Sequence, residues 1–148
     1  MIVKPQKVRD EIEILWPILS PVIMFDGDYW LPPLRNLEML KEESRVHTMQ
    51  FIRKNGFNDC DNYALQFHAE VRRKRYYAYI KGNLPETQMY PVPIGSVWGD
   101  MFRGAERNHF VNICVCQEGV YLADLTPMEN RIWKADPEKD NVLWISMQ

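Results

Sequence analysis

The apolar residues of this chain change period part-way along it, and that change limits what the chain can fold into. Cys60, Tyr63, Ala64, Phe67 and Val71 recur at helical spacing, with Arg75 continuing the row. That is one face of a helix, expected over about residues 59–79 and capped by Asn58 or Asp59. From His109 the period becomes two. His109, Val111, Ile113 and Val115 point one way, and Phe110, Asn112, Cys114 and Cys116 the other. Gln117-Glu118-Gly119 reads as a hairpin turn, with Val120 to Leu125 returning as a strand. Ile94 to Trp98, Asn130 to Trp133 and Val142 to Ser146 are further short strands. Helices first and antiparallel strands after make an α+β domain.

The rest of the chain is less regular. Val8, Ile12, Leu15 and Trp16 give a short helical pattern, while Pro17, Pro21, Pro32 and Pro33 make the region up to residue 35 irregular. Asp26-Gly27-Asp28 reads as a turn. A second helix is expected from Asn36, through Leu37, Met39, Leu40, Val46 and Met49 to Ile52, stopped by Asn55-Gly56. Gly82, Asn83, Pro85, Pro91 and Pro93 mark a long connection.

A chain of 148 residues is one domain's worth, and an apolar fraction of 46% fits a packed core, not a disordered chain. Residues 1–148 are read as a single domain whose motifs fall within 55–135. The net charge of −2 gives no reason to expect a nucleic-acid partner. The run Arg72-Arg73-Lys74-Arg75 reads as a solvated helix end that complements the dipole. No stretch is apolar enough for a membrane span, and Ile12 to Met24, broken by Glu13, Pro17 and Pro21, is not a signal peptide. Three cysteines, an odd number, argue for a reducing compartment, with the cytoplasm as the expected location.

A cysteine becomes a nucleophile when its thiolate is stabilised, and the first turn of a helix does this with free N–H groups and the positive dipole end. Cys60 is placed there. Alone, such a cysteine is more often a small buried hydrophobe. Asp59 and Asp61 raise its pKa while favouring the helix terminus. His109 opens a strand and can serve as general base; it shares a face with Val111 and Ile113, which is expected to pack on the Cys60 helix. Asp124, on the returning strand, can fix the imidazole, or equally cap the turn at Leu125-Thr126-Pro127. His47 and His68 are poorer candidates. Asn55, Asn58, Trp98 and Asn112 are candidate oxyanion or supporting residues. Cys114 and Cys116 share a face without a second pair to complete a zinc site, so burial is expected. Trp98, Trp133 and Trp144 read as core.

In this order the residues resemble a known set. Asp59-Cys60-Asp61-Asn62-Tyr63-Ala64, Val97-Trp98-Gly99, Asn108-His109-Phe110-Val111-Asn112-Ile113 and Val120 to Pro127 are similar to the motifs of papain-like and transglutaminase-like cysteine hydrolases. The likeness is nearest to the papain-like C-terminal domain of the Marasmius oreades agglutinin and its bacteriophage relatives. Asn108, Phe110 and Asp124 depart from a Gly, a small residue and a Glu in that pattern. The resemblance implies a papain/transglutaminase-like fold with N-terminal helices packed on a C-terminal antiparallel sheet. It also implies a Cys60–His109–Asp124 triad with no required cofactor, and calcium held through Asp61.

The function expected on this basis is a cysteine hydrolase or acyl transferase acting on the peptide or amide bonds of a protein or peptide substrate. The rival is a non-enzymatic binding or host-inhibiting protein of phage type, with Trp30, Tyr76, Tyr77 and Tyr79 as an exposed contact surface. A homodimer is left open.

Overall fold

The computed structural model describes residues 1–24, 27–56 and 58–147. Among these, α1 spans Pro5–Leu15, α2 Leu34–Ser44 and α3 Cys60–Ile80. Strands β1 (Ile2–Val3) and β2 (Tyr29–Trp30) form a small antiparallel pair. The main sheet is built from β3 (Ile94–Phe102), β4 (Ala105–Cys116), β5 (Gly119–Asp124), β6 (Arg131–Lys134) and β7 (Asn141–Met147). Its order is β6-β5-β4-β3-β7, with every neighbouring pair antiparallel. The expected α+β class is observed.

Both faces of the sheet are covered, which explains why β4 and β5 are apolar on both sides. On one face Val111, Ile113, Val115 and Leu122 pack with Val8, Ile12 and Trp16 of the α1 region. On the other, Cys114, Cys116, Tyr121 and Ala123 pack with Tyr63, Phe67 and Val71 of α3 and Leu37 of α2. The helical row read from the sequence is therefore the buried face of α3. Withdrawing each of Tyr63 and Phe67 from water stabilises the fold by about 1.5–3 kcal/mol.

Several expectations need correction. The face of β4 that meets α3 carries Asn112, Cys114 and Cys116, not His109, Val111 and Ile113. The second helix is shorter than its apolar spacing implied. Arg45 adopts φ 56° and ends α2, Val46–Thr48 is a separate 3-10 turn, and Ile52 pairs with Asn58 as an isolated bridge. Its start is Leu34, after Pro33, not Asn36. The strand expected from His109 starts earlier: Arg103 and Gly104, at φ 53° and 79°, make a two-residue hairpin turn, and β4 begins at Ala105. Of the turn expected at Asp26-Gly27-Asp28, Asp26 lies outside the described residues. Trp30 is buried, with the Arg75 guanidinium 4.5 Å above its ring, while Trp144 is 49% exposed and not part of the core. Tyr76, Tyr77 and Tyr79 are exposed, as expected. Among the described residues, no helix is long and apolar enough to cross a membrane.

Candidate functional site

The site begins at the mouth of α3. Asp59 is the N-cap residue, and the side chain of Asn62 reaches back to accept from its backbone N–H at 3.1 Å in the capping-box manner. Cys60 is thus the first helical residue, where the dipole favours a negative charge. Burial pushes its thiol up, but a hydrogen bond from His109, one from the Phe110 backbone and the charge on the imidazole outweigh that. The charge of Asp59 opposes them, and the net shift is below the ordinary thiol value. The pKa of Asp59 is itself raised by a hydrogen bond with Asp61, by burial and by the Asp61 charge.

The helix reaches His109 although the ring belongs to the other face of β4. The ladder between β4 and β5 runs from Cys116↔Gly119 to Asn112↔Ala123 and stops. His109 and Asp124 stand just past that last pair, beyond the β4–β5 ladder. A residue at the end of α3 can meet the ring there without crossing a closed sheet.

His109 is buried, with the Phe102 ring edge-on at 6.2 Å. Its Nε2 lies 2.5 Å from Asp124 Oδ2, which leaves Nδ1 as the nitrogen for the sulfur. Burial lowers its pKa, but the bonds to Asp124 and to Cys60, with their charges, raise it to about 9. Asp124 is 2% exposed and its carboxylate is fully employed. Oδ1 accepts from the Thr126 backbone N–H at 2.9 Å and the Thr126 hydroxyl at 2.7 Å, while Oδ2 faces His109. Burial raises its pKa, and the His109 and Thr126 bonds overcome this, holding it below the usual carboxylate value. Asp124 is thus bonded both to the His109 ring and to the turn at Thr126.

Chemically, this is a thiol flanked by an imidazole that is itself held by a carboxylate. The lowered thiol and the imidazole raised to about 9 both favour a thiolate–imidazolium pair over the neutral pair. Arg107 adds an outer layer, with Nη2 3.7 Å from Asp124 Oδ2 and 3.1 Å from Glu129 Oε1.

No protein-family model and no curated protein matches the chain. Solved structures do. One is the Polyporus squamosus lectin bound to the human-type influenza-binding epitope Neu5Aca2-6Galb1-4GlcNAc. It has a TM-score of 0.67 and 15% identity over 97% of this chain and 49% of that one. Another is a PSL1a-E64 complex, with TM-score 0.64 and 15% identity over 95% of this chain and 48% of that one. The fold is shared with lectin structures. The chain spans about half the length of each, and at 15% identity the likeness establishes fold alone.

These findings correct the family and the function expected from the motifs. The solved structures that share the fold here are of a lectin, so membership of the papain/transglutaminase-like hydrolases is not carried forward. Neither is action on peptide or amide bonds, nor the rival phage-type inhibitor. Short motifs misled because a cysteine opening a helix and a histidine opening a strand are compatible with many functions.

The supporting residues behave differently from one another. Asn112 is 1% exposed, and its amide donates to Ala64 O at 2.8 Å and Gly95 O at 3.2 Å, tying α3 to the sheet. Asn58 is also buried. It donates to Gln50 O and accepts from Gln66 Nε2, so it clamps the loop before α3. Asn55 is exposed at φ 57° within the turn Lys54–Gly56. Trp98 is half-buried in β3, paired with Phe110 and Trp144 on its flanking strands. Asp61 Oδ1 accepts from the Asn62 backbone N–H at 3.0 Å. Among the described residues, no group of three or more His, Cys, Asp or Glu side chains is placed to hold a metal ion. Cys114 and Cys116 are buried on one face, their sulfurs 3.9 Å apart. His68 is buried and accepts from Arg72 Nε. The Phe110 backbone was not read from the sequence, whereas Thr126 belongs to the turn that Asp124 was expected to cap.

Proposed function

We propose that Cys60, His109 and Asp124 form a nucleophilic thiol centre, at which the sulfur bonds covalently to an electrophilic carbon of a small bound ligand. One observation carries this reading: His109 is bonded to the Asp124 carboxylate on one side and to the Cys60 sulfur on the other. The thiolate attacks the carbon, and the bond from that carbon to its leaving oxygen or halogen breaks. With an epoxide, the ring C–O bond opens and His109 passes its proton to the resulting alkoxide. Asp124 holds the ring and stabilises its charge meanwhile. The first N–H groups of a helix have no intrahelical acceptor, so those at the start of α3 are suited to a developing negative charge.

The test is mass spectrometry after brief exposure to a small epoxide near neutral pH. One adduct on Cys60 is expected, absent in Cys60→Ser and much slower in His109→Ala. Labelling spread over the three cysteines, or a rate indifferent to His109, would reject the proposal.

A second reading, glycan binding, draws on the lectin neighbours and on one surface feature. Exposed Tyr76 and Tyr79 line a cavity of about 200 Å³ with Arg72, Arg75 and Tyr90, a setting of aromatic faces and positive charge suited to a sialylated sugar. Binding of Neu5Aca2-6Galb1-4GlcNAc that is weakened by Tyr79→Ala and unaffected by alkylation of Cys60 would support it. No binding at millimolar glycan would dismiss it.

A further inference from the structure

Beside the sulfur lies a cavity of about 230 Å³ that the reaction centre does not use. Its walls are Asp61, Leu65 and His68 of α3, Ser96 of β3, Phe110 of β4, and Trp144 and Ser146 of β7. Two of these adjoin the nucleophile: Asp61 follows Cys60 in the chain, and the Phe110 backbone bonds its sulfur. The Trp144 ring stands edge-on to Phe110 at 6.1 Å, so the two make an aromatic corner. Leu65 is 58% exposed and Trp144 49%, so the wall leaves large apolar surface open to a ligand.

Three features define what the cavity accepts. First, Ser96 is 6% exposed and its buried hydroxyl has no hydrogen-bond partner in the protein. Buried polar groups are normally paired, so this one is available to a polar atom of a ligand. Second, Asp61 is the one carboxylate in the wall, and no lysine or arginine lines it. The His68 Nε2 accepts from Arg72 Nε, so that nitrogen carries no proton toward the cavity, and Arg72 stands behind it. Third, the aromatic faces of Phe110 and Trp144 attract a cation as well as an apolar ring.

We infer that this cavity is a specificity subsite for a flat apolar group bearing a positive charge, carried by the same molecule that Cys60 attacks. This rests on the nucleophilic thiol reading above and adds the chemistry of its ligand. The group lays its apolar face on the Phe110–Trp144 corner. A polar atom meets Ser96, and the charge stays near Asp61. An anionic group at the same position meets Asp61 and is rejected.

The experiment compares three haloacetamide probes of one reactivity, bearing aminomethylbenzyl, benzyl and carboxybenzyl groups. Rates of Cys60 alkylation are each divided by the rate with unsubstituted iodoacetamide. The cationic probe is expected to exceed the anionic one by about fivefold or more, the scale of one partly exposed charge pair, with the neutral probe between them. Asp61→Asn, which keeps an acceptor for the Asn62 amide, is expected to collapse the difference. Trp144→Ala is expected to lower the aromatic probes toward the iodoacetamide rate. Iodoacetamide itself reports whether each variant retains its thiol centre. Fast, His109-dependent alkylation by iodoacetamide with equal normalised rates for the three probes would overturn the subsite and leave the thiol centre standing. Slow alkylation that ignores His109 would overturn both.

Discussion

His109 Nε2 and Asp124 Oδ2 lie 2.5 Å apart in a buried setting just beyond the last paired residues of β4 and β5. The carboxylate is in turn anchored by the Thr126 amide and hydroxyl, so it cannot rotate without breaking three bonds. An imidazole gripped this way presents its other nitrogen in one direction. Replacing Asp124 with Asn removes the charge that supports the imidazolium while keeping the shape. The expected result is a His109 pKa lowered from about 9, read by NMR titration, and a loss of about 1.5–3 kcal/mol in unfolding free energy.

The pH dependence of stability follows from counting protons on the Cys60–His109 pair. In the unfolded chain the imidazole titrates near 6.5 and the thiol near 8.5, so between about 6.5 and 8.5 the pair holds one proton. In the folded protein His109 keeps its proton up to about 9, and the lowered Cys60 thiol loses its proton at a lower pH than in the unfolded chain. The raised imidazole contributes stability that is complete below about 6.5 and is lost as pH rises through about 9. The lowered thiol contributes stability that is complete above the unfolded thiol value and is lost as pH falls through its folded value. Subtracting the denaturation curve of Cys60→Ser from that of the native sequence at each pH should show a contribution that is lost as pH rises through about 9.

Asn112 positions the helix mouth from a distance. Its amide binds one carbonyl of α3 and one of β3, and Asn112→Ala leaves both buried acceptors short of a donor. A destabilisation of about 1–3 kcal/mol is expected, seen as a fall in Tm, together with slower alkylation of Cys60. Asn112→Asp should not rescue it, because a carboxylate cannot donate to those oxygens.

Gly99 pairs with His109 across β3 and β4. A Cβ added there would stand 2.3 Å from Asn141 O and 2.9 Å from the Phe102 ring, the ring that lies edge-on to His109. Backbone on one side and a packed ring on the other leave little room to yield. Gly99→Ala is expected to cost about 1–3 kcal/mol and to slow Cys60 alkylation by displacing Phe102. A variant with native Tm and native rate would show that the strand relaxes freely.

The sequence carried the parts of the fold that repeat. Five apolar positions in helical register were enough to place α3 with its buried face, and the change to period two placed β4, the turn at Gly119 and β5. The N-terminus of α3 was legible because a capping residue precedes the row, and this put Cys60 at the helix mouth. What misled was any inference needing three dimensions. His109 was assigned to the face that packs on α3, whereas Asn112, Cys114 and Cys116 form that face. The two residues nevertheless meet because the β4–β5 ladder ends early, and no local pattern announces where a ladder ends. The helix expected from Asn36 to Ile52 failed at Arg45, where a left-handed residue breaks a row that apolar spacing alone would have continued. Trp30 and Trp144 exchanged their expected places because a lone tryptophan carries no period to read.

The central claim is that His109 lowers the pKa of Cys60, and it is measured most directly by the pH dependence of Cys60 alkylation with iodoacetamide. Cys114 and Cys116 are each 2% exposed, so modification of the folded protein reports Cys60. In the native sequence the rate is predicted to rise at a pH below the ordinary thiol range, whereas in His109→Ala it should rise only near about 8.5. Two curves that coincide near that ordinary value would contradict the account.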